Sequence, residues 1–455
     1  MLQKMTRRQW LGGAAAAAAS IAVVPRHVLG GAGHTAPSDK PALAGIGVGG
    51  VGFPQLRACE EAGFQIVALC DVDDVYAKKA CDQWPQAKRF RDFREMYEAI
   101  DSQIDAVYCG TPDHTHAVIV LPALRRKKHV CCVKPITRTI HECRTLVRAA
   151  REAGVATTDT SAPNTSEAAC RTCELIWAGA IGPVREVHMW SDRPWWPQGM
   201  ARPAGKDPVP ATLDWDLWIG PAAMRPFKKV WPEGHLALEQ VEPRYFDSVY
   251  HPWNFRGWWD FGTGSLGDMG CHHANTPFRA LKLEHPVGVS AVSSKVLAET
   301  APLASIVTYE FPAREGMPPV RIVWYDGGLK PLSPEPGFPL PDSGEMYVGD
   351  EGFMLGPKVL PEERARKFAD VPRTLPRRPG TWKEWFDACR GGEPAGTQFP
   401  TAGLLAEFVL LGNIALRTGK RLDWNGPEGR FTNDDAANQL RHDEYRQGWS
   451  LEAHI

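Results

Sequence analysis

The chain of 455 residues has no charge to spare in either direction: 52 lysines and arginines stand against 53 aspartates and glutamates, for a net charge of −1. Basic residues are not gathered into a long patch, so a nucleic-acid surface is not expected. The N-terminal apolar stretch, Leu11 to Val24, is too short and too alanine-rich for a comfortable membrane span. No stable span is expected after processing. Cysteine occurs eleven times, an odd number, and Cys70, Cys109, Cys131 and Cys132 lie in apolar runs that read as buried strands. That pattern argues against a disulfide framework and for free, packed thiols. Cys170 and Cys173 form a lone C-x-x-C without a second ligand pair at zinc spacing, so they read as structural and no resident metal is expected.

Glycine is plentiful, and one cluster organises the rest. The segment Leu43 to Gly52, LAGIGVGGVG, predicts a first β-strand running into a dinucleotide-binding turn. Gly47, Gly49 and Gly52 are spaced G-x-G-x-x-G: the first permits the tight turn, the second lets backbone approach a pyrophosphate, and the third lets the next helix pack on its strand. With Gly50 and Val51 they put helix N-terminal amides in front of the phosphates. A helix over Phe53 to Gly63 and a second strand, Ile66 to Cys70, follow, ending in Asp71. An acid about twenty residues past the glycines accepts hydrogen bonds from the adenosine ribose and repels a 2′-phosphate, so NAD is expected rather than NADP. A glycine hairpin beside a solvated aspartate is the plainer reading, and the order strand, helix, strand, acid speaks against it.

Residues 1–36 read as an export signal. Thr6-Arg7-Arg8-Gln9-Trp10-Leu11 followed by the alanine-rich run resembles a twin-arginine signal, which implies export of an already folded protein, to the periplasm. Residues 37–160 alternate strand and helix as an open parallel sheet requires, with further strands at Ile104 to Gly110, His129 to Val133 and Val155 to Thr157, and a helix capped by Thr139 with Glu142 in the capping-box position. Residues 161–400 change in texture: Val184 to Trp190, Val287 to Val296, Ala304 to Phe311, Val320 to Trp324 and Glu345 to Val348 read as strands of a largely antiparallel sheet. Between the first two lies a long proline- and tryptophan-rich loop region, Pro194 to Phe255, of the kind that serves a site. A helix is expected at Trp382 to Cys389. Residues 401–455 read as an apolar helix, Ala402 to Leu416, and a polar tail. The expected fold class is an α/β Rossmann nucleotide-binding domain plus an α+β domain with an open sheet.

Three groups of residues could carry chemistry. Thr111, Pro112 and His116 belong to a loop, TPDHTH, at the carboxyl end of a strand, where ligands bind in such sheets. Lys134, held extended by Pro135, follows the next strand and could hold a substrate hydroxyl or take part in proton transfer. In Gly262 to His272, GTGSLGDMGCH, a helix starting near Ser265 puts Asp268 and His272 four residues apart on one face. An aspartate beside an imidazole fixes its tautomer and raises its basicity, as a base for a hydroxyl proton needs. Ten of the 17 tryptophans fall between Trp177 and Trp259, which reads either as flat surfaces for sugar rings or as an aromatic core under a long loop. On the first reading Trp190, Arg193, Tyr250, Arg256, Trp259 and His273 surround a carbohydrate.

The glycine turn with Asp71, the TPDHTH loop, Lys134-Pro135 after the fourth expected strand, and GTGSLGDMGCH together resemble the glucose-fructose oxidoreductase and inositol dehydrogenase family (Gfo/Idh/MocA), from about Ala42 to the end. The resemblance implies NAD(P) binding, a second domain whose open sheet faces the substrate, a homo-oligomer, and a catalytic trio of Lys134, Asp268 and His272. Three positions depart from the family pattern: Val133 stands for a common glutamate, Thr160-Ser161-Ala162 for Gly-Asn-Gln, and Asn275 for an aspartate. The expected function is an NAD-dependent oxidoreductase acting on a secondary hydroxyl of a sugar or sugar derivative, with His272 as base, Asp268 as its orienter and Lys134 holding the hydroxyl. Two alternatives stay open. One is an NAD-dependent glycosidase working through transient ring oxidation, with His188, Asp192, His251 or His273 as its extra acid or base. The other is a non-catalytic sugar-binding relative. Asp268, His272 and His273 could also contribute metal ligands, although their spacing does not demand a metal.

Overall fold

The computed structural model describes residues 40–451; the expected signal at residues 1–36 lies outside them. From Ala42 the chain builds a doubly wound sheet. Strands β1 (Ala42–Ile46), β2 (Gln65–Cys70), β3 (Lys88–Phe90), β4 (Ala106–Cys109), β5 (His129–Cys132) and β6 (Thr157–Asp159) lie in the order β3-β2-β1-β4-β5-β6. All their pairings are parallel. Helices α1 (Gly52–Ala62), α2 (Asp74–Gln83), α3 (Phe93–Ile100), α4 (His116–Arg125) and α5 (Ile140–Ala153) alternate with them. The chain order reverses between β1 and β4, which opens the ligand crevice at the carboxyl ends of these two strands. β3 was not expected: Lys-Arg-Phe is three residues long and partly exposed at the sheet edge, so it shows no apolar run. Lys134 therefore follows the fifth strand, and Thr160-Ser161-Ala162 the sixth.

The second sheet has nine strands. Helix α6 (Glu167–Trp177) leads into β7 (Val184–Trp190); helix α7 (Gly264–Ala280) precedes β8 (Gly288–Ser293), β9 (Ser305–Phe311), β10 (Val320–Tyr325), β11 (Gly344–Gly349), β12 (Gly352–Leu355) and β13 (Lys358–Leu360). After α8 (Thr381–Cys389) and α9 (Phe399–Thr418) come β14 (Leu422–Asn425) and β15 (Arg430–Phe431). The order is β13-β12-β11-β7-β10-β9-β8-β14-β15, antiparallel except for β7 beside β10. The polar tail expected after α9 is thus two short strands that close one side of the sheet and a helix, Asp435–Gln439.

Helix α9 is apolar around most of its circumference because it belongs to two cores at once. Phe399, Ala402 and Ala406 pack into the Rossmann core, while Leu405, Phe408 and Val409 pack under the second sheet. Phe408 stacks on Tyr309 of β9 at 3.8 Å between ring centroids. It is long and apolar enough to cross a membrane, yet most of it is buried inside the protein. The tryptophan-rich region after β7 resolves toward the plainer of its two readings. Trp215 stacks on Trp218 at 4.6 Å, and with Trp231, Trp258, Tyr250 and Phe261 they form a separate aromatic core.

The capping box at Thr139 is present: the Thr139 hydroxyl accepts from the Glu142 amide at 3.2 Å, and the Glu142 carboxylate accepts from the Thr139 amide at 3.0 Å. Thr139→Ala should lower stability by about 1 kcal/mol, read as a shift of the urea midpoint with an unchanged m-value.

Candidate active site

The glycine turn is dictated by close approach. Gly47 has φ +75°, and a Cβ there would stand 2.7 Å from the backbone of Gly110 and Thr111, where β4 leaves the sheet. A Cβ on Gly52 would meet the Gly47 carbonyl oxygen at 2.2 Å, so the first turn of α1 can sit on the loop only without a side chain. Asp71 at the end of β2 ties this turn down. Its Oδ2 accepts from the amides of Val48 at 2.9 Å and Gly49 at 3.2 Å, and its Oδ1 from the amide of Asp73 at 3.1 Å. Burial raises its carboxyl above the usual range in spite of those bonds. Among the described residues the Gly50 and Val51 amides find no protein acceptor.

A cleft of about 670 Å³ runs past this turn. Gly47, Gly49, Gly50, Val51, Asp71, Thr111 and Pro112 line it, as do Lys134, Arg256, Asp268 and His272. An elongated cleft with free amides at a helix N-terminus and an acid after the second strand fits a dinucleotide. Gly50 and Val51 would hold its phosphates and Asp71 its adenosine ribose.

At the other end, two domains meet. Lys134 leaves β5 through a cis peptide bond to Pro135, and α7 delivers Asp268 and His272 from one face, as their spacing predicts. Asp268 Oδ1 lies 2.9 Å from Lys134 Nζ and accepts from Arg256 Nε at 3.0 Å. The Asp268 carbonyl also accepts from Lys134 Nζ. Burial alone would raise the Asp268 carboxyl, but Lys134 and Arg256 outweigh it and hold the group well below the ordinary carboxylate range. This corrects the orienter role expected of Asp268: its carboxylate is engaged by two cations rather than by the imidazole. His272 is pushed down to about 3 by burial and by the Lys134 charge, against the opposing pull of Asp268. It is a neutral imidazole at neutral pH.

Several expected residues stand elsewhere. Gly52 is buried beneath the turn, as its packing role requires. His116 is buried, its Nδ1 2.9 Å from the Pro135 carbonyl oxygen and its Nε2 2.7 Å from that of Thr111. It braces the two loops instead of facing the cleft. Its ring also approaches Cys109 and Cys132, three potential ligand atoms within 4.8 Å of one another, but both nitrogens already face backbone carbonyls. Trp190 is fully buried on β7 and donates to the Pro341 carbonyl. Arg193 pairs with Asp192 and stacks on Trp195. Tyr250 belongs to the aromatic core, Trp259 donates to the Leu297 carbonyl at 3.3 Å, and His273 faces Glu345 at 3.4 Å. Of the proposed sugar contacts, only Arg256 reaches the cleft.

Other lining residues were not foreseen. Tyr76, on the first turn of α2, packs against Gly49 and Gly50, and its ring meets His251 edge-on at 5.2 Å. Tyr245 and Trp253 come from the long insertion, stacked on each other at 4.9 Å. Trp449 reaches the cleft because the C-terminal segment returns to the first domain, with the Arg446 amide bonded to the Pro221 carbonyl and Arg94 over the Trp449 ring. Tyr76 carried a signal in its place five residues after Asp71. Trp449 carried none.

Comparison with known proteins agrees with this geometry. Residues 43–159 match the model of an oxidoreductase family, NAD-binding Rossmann fold, and residues 195–291 match the C-terminal alpha/beta domain of the same family. The first match contains Lys134, the second Asp268 and His272. Inositol 2-dehydrogenase of Salmonella typhimurium is 29% identical over 112 residues, 24% of this chain and 33% of that protein. A 1,5-anhydro-D-fructose reductase of Ensifer adhaerens is 47% identical over 55 residues, 12% of this chain and 16% of the reductase. The chain thus spans about a third or less of these curated relatives. Among solved structures, the WlbA dehydrogenase from Bordetella pertussis in complex with NADH and UDP-GlcNAcA superimposes with a TM-score of 0.57 at 14% identity, over 85% of this chain and 99% of that one. The aldose-aldose oxidoreductase from Caulobacter crescentus gives 0.53 at 17%, over 85% and 100%. These likenesses establish the two-domain fold.

Asp268→Asn removes the only charge that Lys134 and Arg256 share and leaves two half-buried cations facing each other. It should cost about 3–5 kcal/mol, measured by urea denaturation without nucleotide. A loss below about 1 kcal/mol would mean that solvent screens the cluster.

Proposed function

We propose that this chain, whose two domain matches support membership of the Gfo/Idh/MocA oxidoreductases, is an NAD-dependent oxidoreductase acting on a secondary hydroxyl of a sugar or sugar derivative. One observation carries the reading: Lys134, Asp268 and His272 converge from two domains at one end of a cleft whose other end is the glycine turn with Asp71. The named actions of the relatives, on an inositol and an anhydrofructose, support a polyhydroxylated substrate.

Bound nicotinamide would supply the redox chemistry as hydride acceptor. Lys134 Nζ, anchored by Asp268, donates a hydrogen bond to the reacting oxygen and stabilises the negative charge that develops there. The unprotonated imidazole of His272 is already in the form that takes the hydroxyl proton. His272 also borders an open groove outside the cleft, which gives that proton a way to solvent. Arg256 grips the same oxygen of Asp268 as Lys134 does and keeps the carboxylate from turning toward the imidazole. Export through a twin-arginine route and homo-oligomer formation belong to this proposal as well, resting on the Arg7-Arg8 segment and on the family resemblance.

The glycosidase alternative needs a further acid or base near the reacting end. His188 bonds Tyr325 on the sheet, Asp192 pairs with Arg193, and His273 faces Glu345. His251 lines the cleft but is held by Asp73 at 3.0 Å, at the Asp71 end. None of the four favours it. The departures cited for a non-catalytic relative have internal uses. The Ser161 hydroxyl bonds Asp159 at 2.6 Å, and Asn275 donates to the Ala162 carbonyl at 2.7 Å, tying α7 to the loop after β6.

NAD-loaded protein offered a panel of C-deuterated cyclitols and pyranoses should transfer deuterium to the cofactor with at least one of them. Stable NAD binding without transfer across the panel would overturn the reading. His272→Gln should lower kcat by about 10²–10⁴-fold. The rate should stay level as pH falls from about 8 to about 5, because an imidazole pushed down to about 3 remains unprotonated there. An acid limb centred near 6.5, the ordinary histidine value, would show that the imidazole is not held down in the working enzyme, and a limb that persists in His272→Gln would show that another group is the base.

A further inference from the structure

The cleft does not end at His272. A second groove, of about 710 Å³, shares Gln55, Thr160 and His272 with it and continues outward along α1 to the start of α8. Trp382 and Lys383 of α8, Gly380 just before it and Glu61 of α1 line it. Trp382 packs against the core beneath α1 with part of its surface left uncovered, 6.4 Å from Tyr108 between ring centroids. The Tyr108 hydroxyl donates to Gln55 Oε1 at 2.6 Å, which leaves the Gln55 amide nitrogen free to point elsewhere. Lys383 and Glu61 hold exposed partners on their own helices, Asp387 and Arg57. The groove therefore offers one anchored aromatic surface, the hydroxyls of Thr160 and Thr381, an amide and two peripheral charges of opposite sign.

We infer that this groove is an outer carbohydrate subsite, and that the substrate is a glycoside or oligosaccharide rather than a free monosaccharide. The inference rests on the reading of the inner cleft as a sugar-oxidising site. Lys134 and His272 both line the inner cleft, and His272, with Gln55 and Thr160, also lines the groove that holds Trp382. A ring whose hydroxyl meets Lys134 and His272 therefore has a route past His272 for a neighbouring substituent to reach Trp382. Apolar C–H faces of a pyranose, or an aromatic aglycone, pack on an indole whose other side is fixed by core contacts. Mixed amide, hydroxyl and charged groups around such a platform suit hydroxyl recognition. The tryptophan that meets the sugar is thus not in the tryptophan-dense insertion, most of which is core, but nearly two hundred residues nearer the C-terminus than its start.

The test is calorimetry of the NAD-loaded full-length protein with methyl and p-nitrophenyl pyranosides of gluco, galacto and manno configuration, both anomers, alongside deuterium transfer from the same compounds. For at least one configuration the p-nitrophenyl glycoside should bind tighter than the methyl glycoside by roughly five- to tenfold. Trp382→Ala should bring that ratio close to one, and Trp382→Phe, which keeps an aromatic packed on the core, should retain most of it. A ratio near one in the parent protein, or one that Trp382→Ala leaves intact, overturns the subsite. Size-dependent binding lost in Trp382→Ala but without deuterium transfer keeps the subsite and overturns the reaction. No binding of any pyranoside overturns both.

Discussion

The reactive end of the molecule depends on one shared anion. Asp268 sits on α7 in the second domain, Lys134 on the loop after β5 in the first, and Arg256 on the insertion between them. Burying charges costs several kcal/mol per ion, and pairing recovers that cost only with good geometry. The cluster is therefore better understood as a register device than as a source of stability. Neutral contacts reinforce it: the Thr263 hydroxyl at the start of α7 donates to Asp113 at 2.7 Å, and His114 is clamped between the carbonyls of Phe261 and Trp218. Burial keeps His114 neutral, its imidazole pushed down to about 3. The TPDHTH loop thus fastens α7 to the end of β4, and α7 in turn aims His272 at the space beside Lys134.

The same cluster sets the electrostatics. Two cations and one carboxylate leave an excess of one positive charge, in a place where little water screens it. That excess disfavours a protonated His272 and favours negative charge on an oxygen near Lys134. Both effects act in the direction of oxidation, since a neutral imidazole is the accepting form and an alkoxide-like oxygen releases hydride more readily. A strong Asp268–His272 pair would have raised the basicity of the imidazole while reducing the positive field on the substrate. The structure favours the field. Nearby, Asp159 at the end of β6 has its carboxyl pushed up to about 6 by burial, although Ser161 and Lys134 pull the other way. At about 6 that carboxyl is mostly ionised at neutral pH and offsets part of the excess.

Sequence made the first domain readable because its determinants are local. Gly52 and Asp71 answer to backbone contacts within one strand, turn, helix and strand, and the cap at Thr139 needs only four residues. Asp268 and His272 share a helix face by spacing alone. What stayed hidden depends on partners distant in the chain. Nothing near Asp268 announces that Lys134 and Arg256 will claim its carboxylate, and β3, β14 and β15 are short strands at or next to a sheet edge whose pairing comes from neighbours rather than from apolar runs. The tryptophans mislead for a related reason. An indole among prolines reads the same whether the loop folds over it or leaves it bare, and Trp215, Trp218, Trp231 and Trp258 are covered by one another.

That mutual covering explains why so large an insertion is rigid enough to serve the cleft. Residues from Trp190 to Phe261 contain few regular elements, and ordering such a segment costs on the order of 1–2 kcal/mol per residue in backbone entropy. A surface loop could not offset this by lying on the domains alone. Its own aromatic core offsets a further part, since each buried aromatic removes about 150–250 Å² of surface from water. The core then positions three edges independently: Trp218 under His114, Trp253 and Tyr245 over the middle of the cleft, and Arg256 against Asp268. A segment stabilised from within can present residues to both domains without unfolding when the cleft fills. The aromatic density is then the condition for placing Arg256, and through Asp268 for placing Lys134, rather than a sugar platform in its own right.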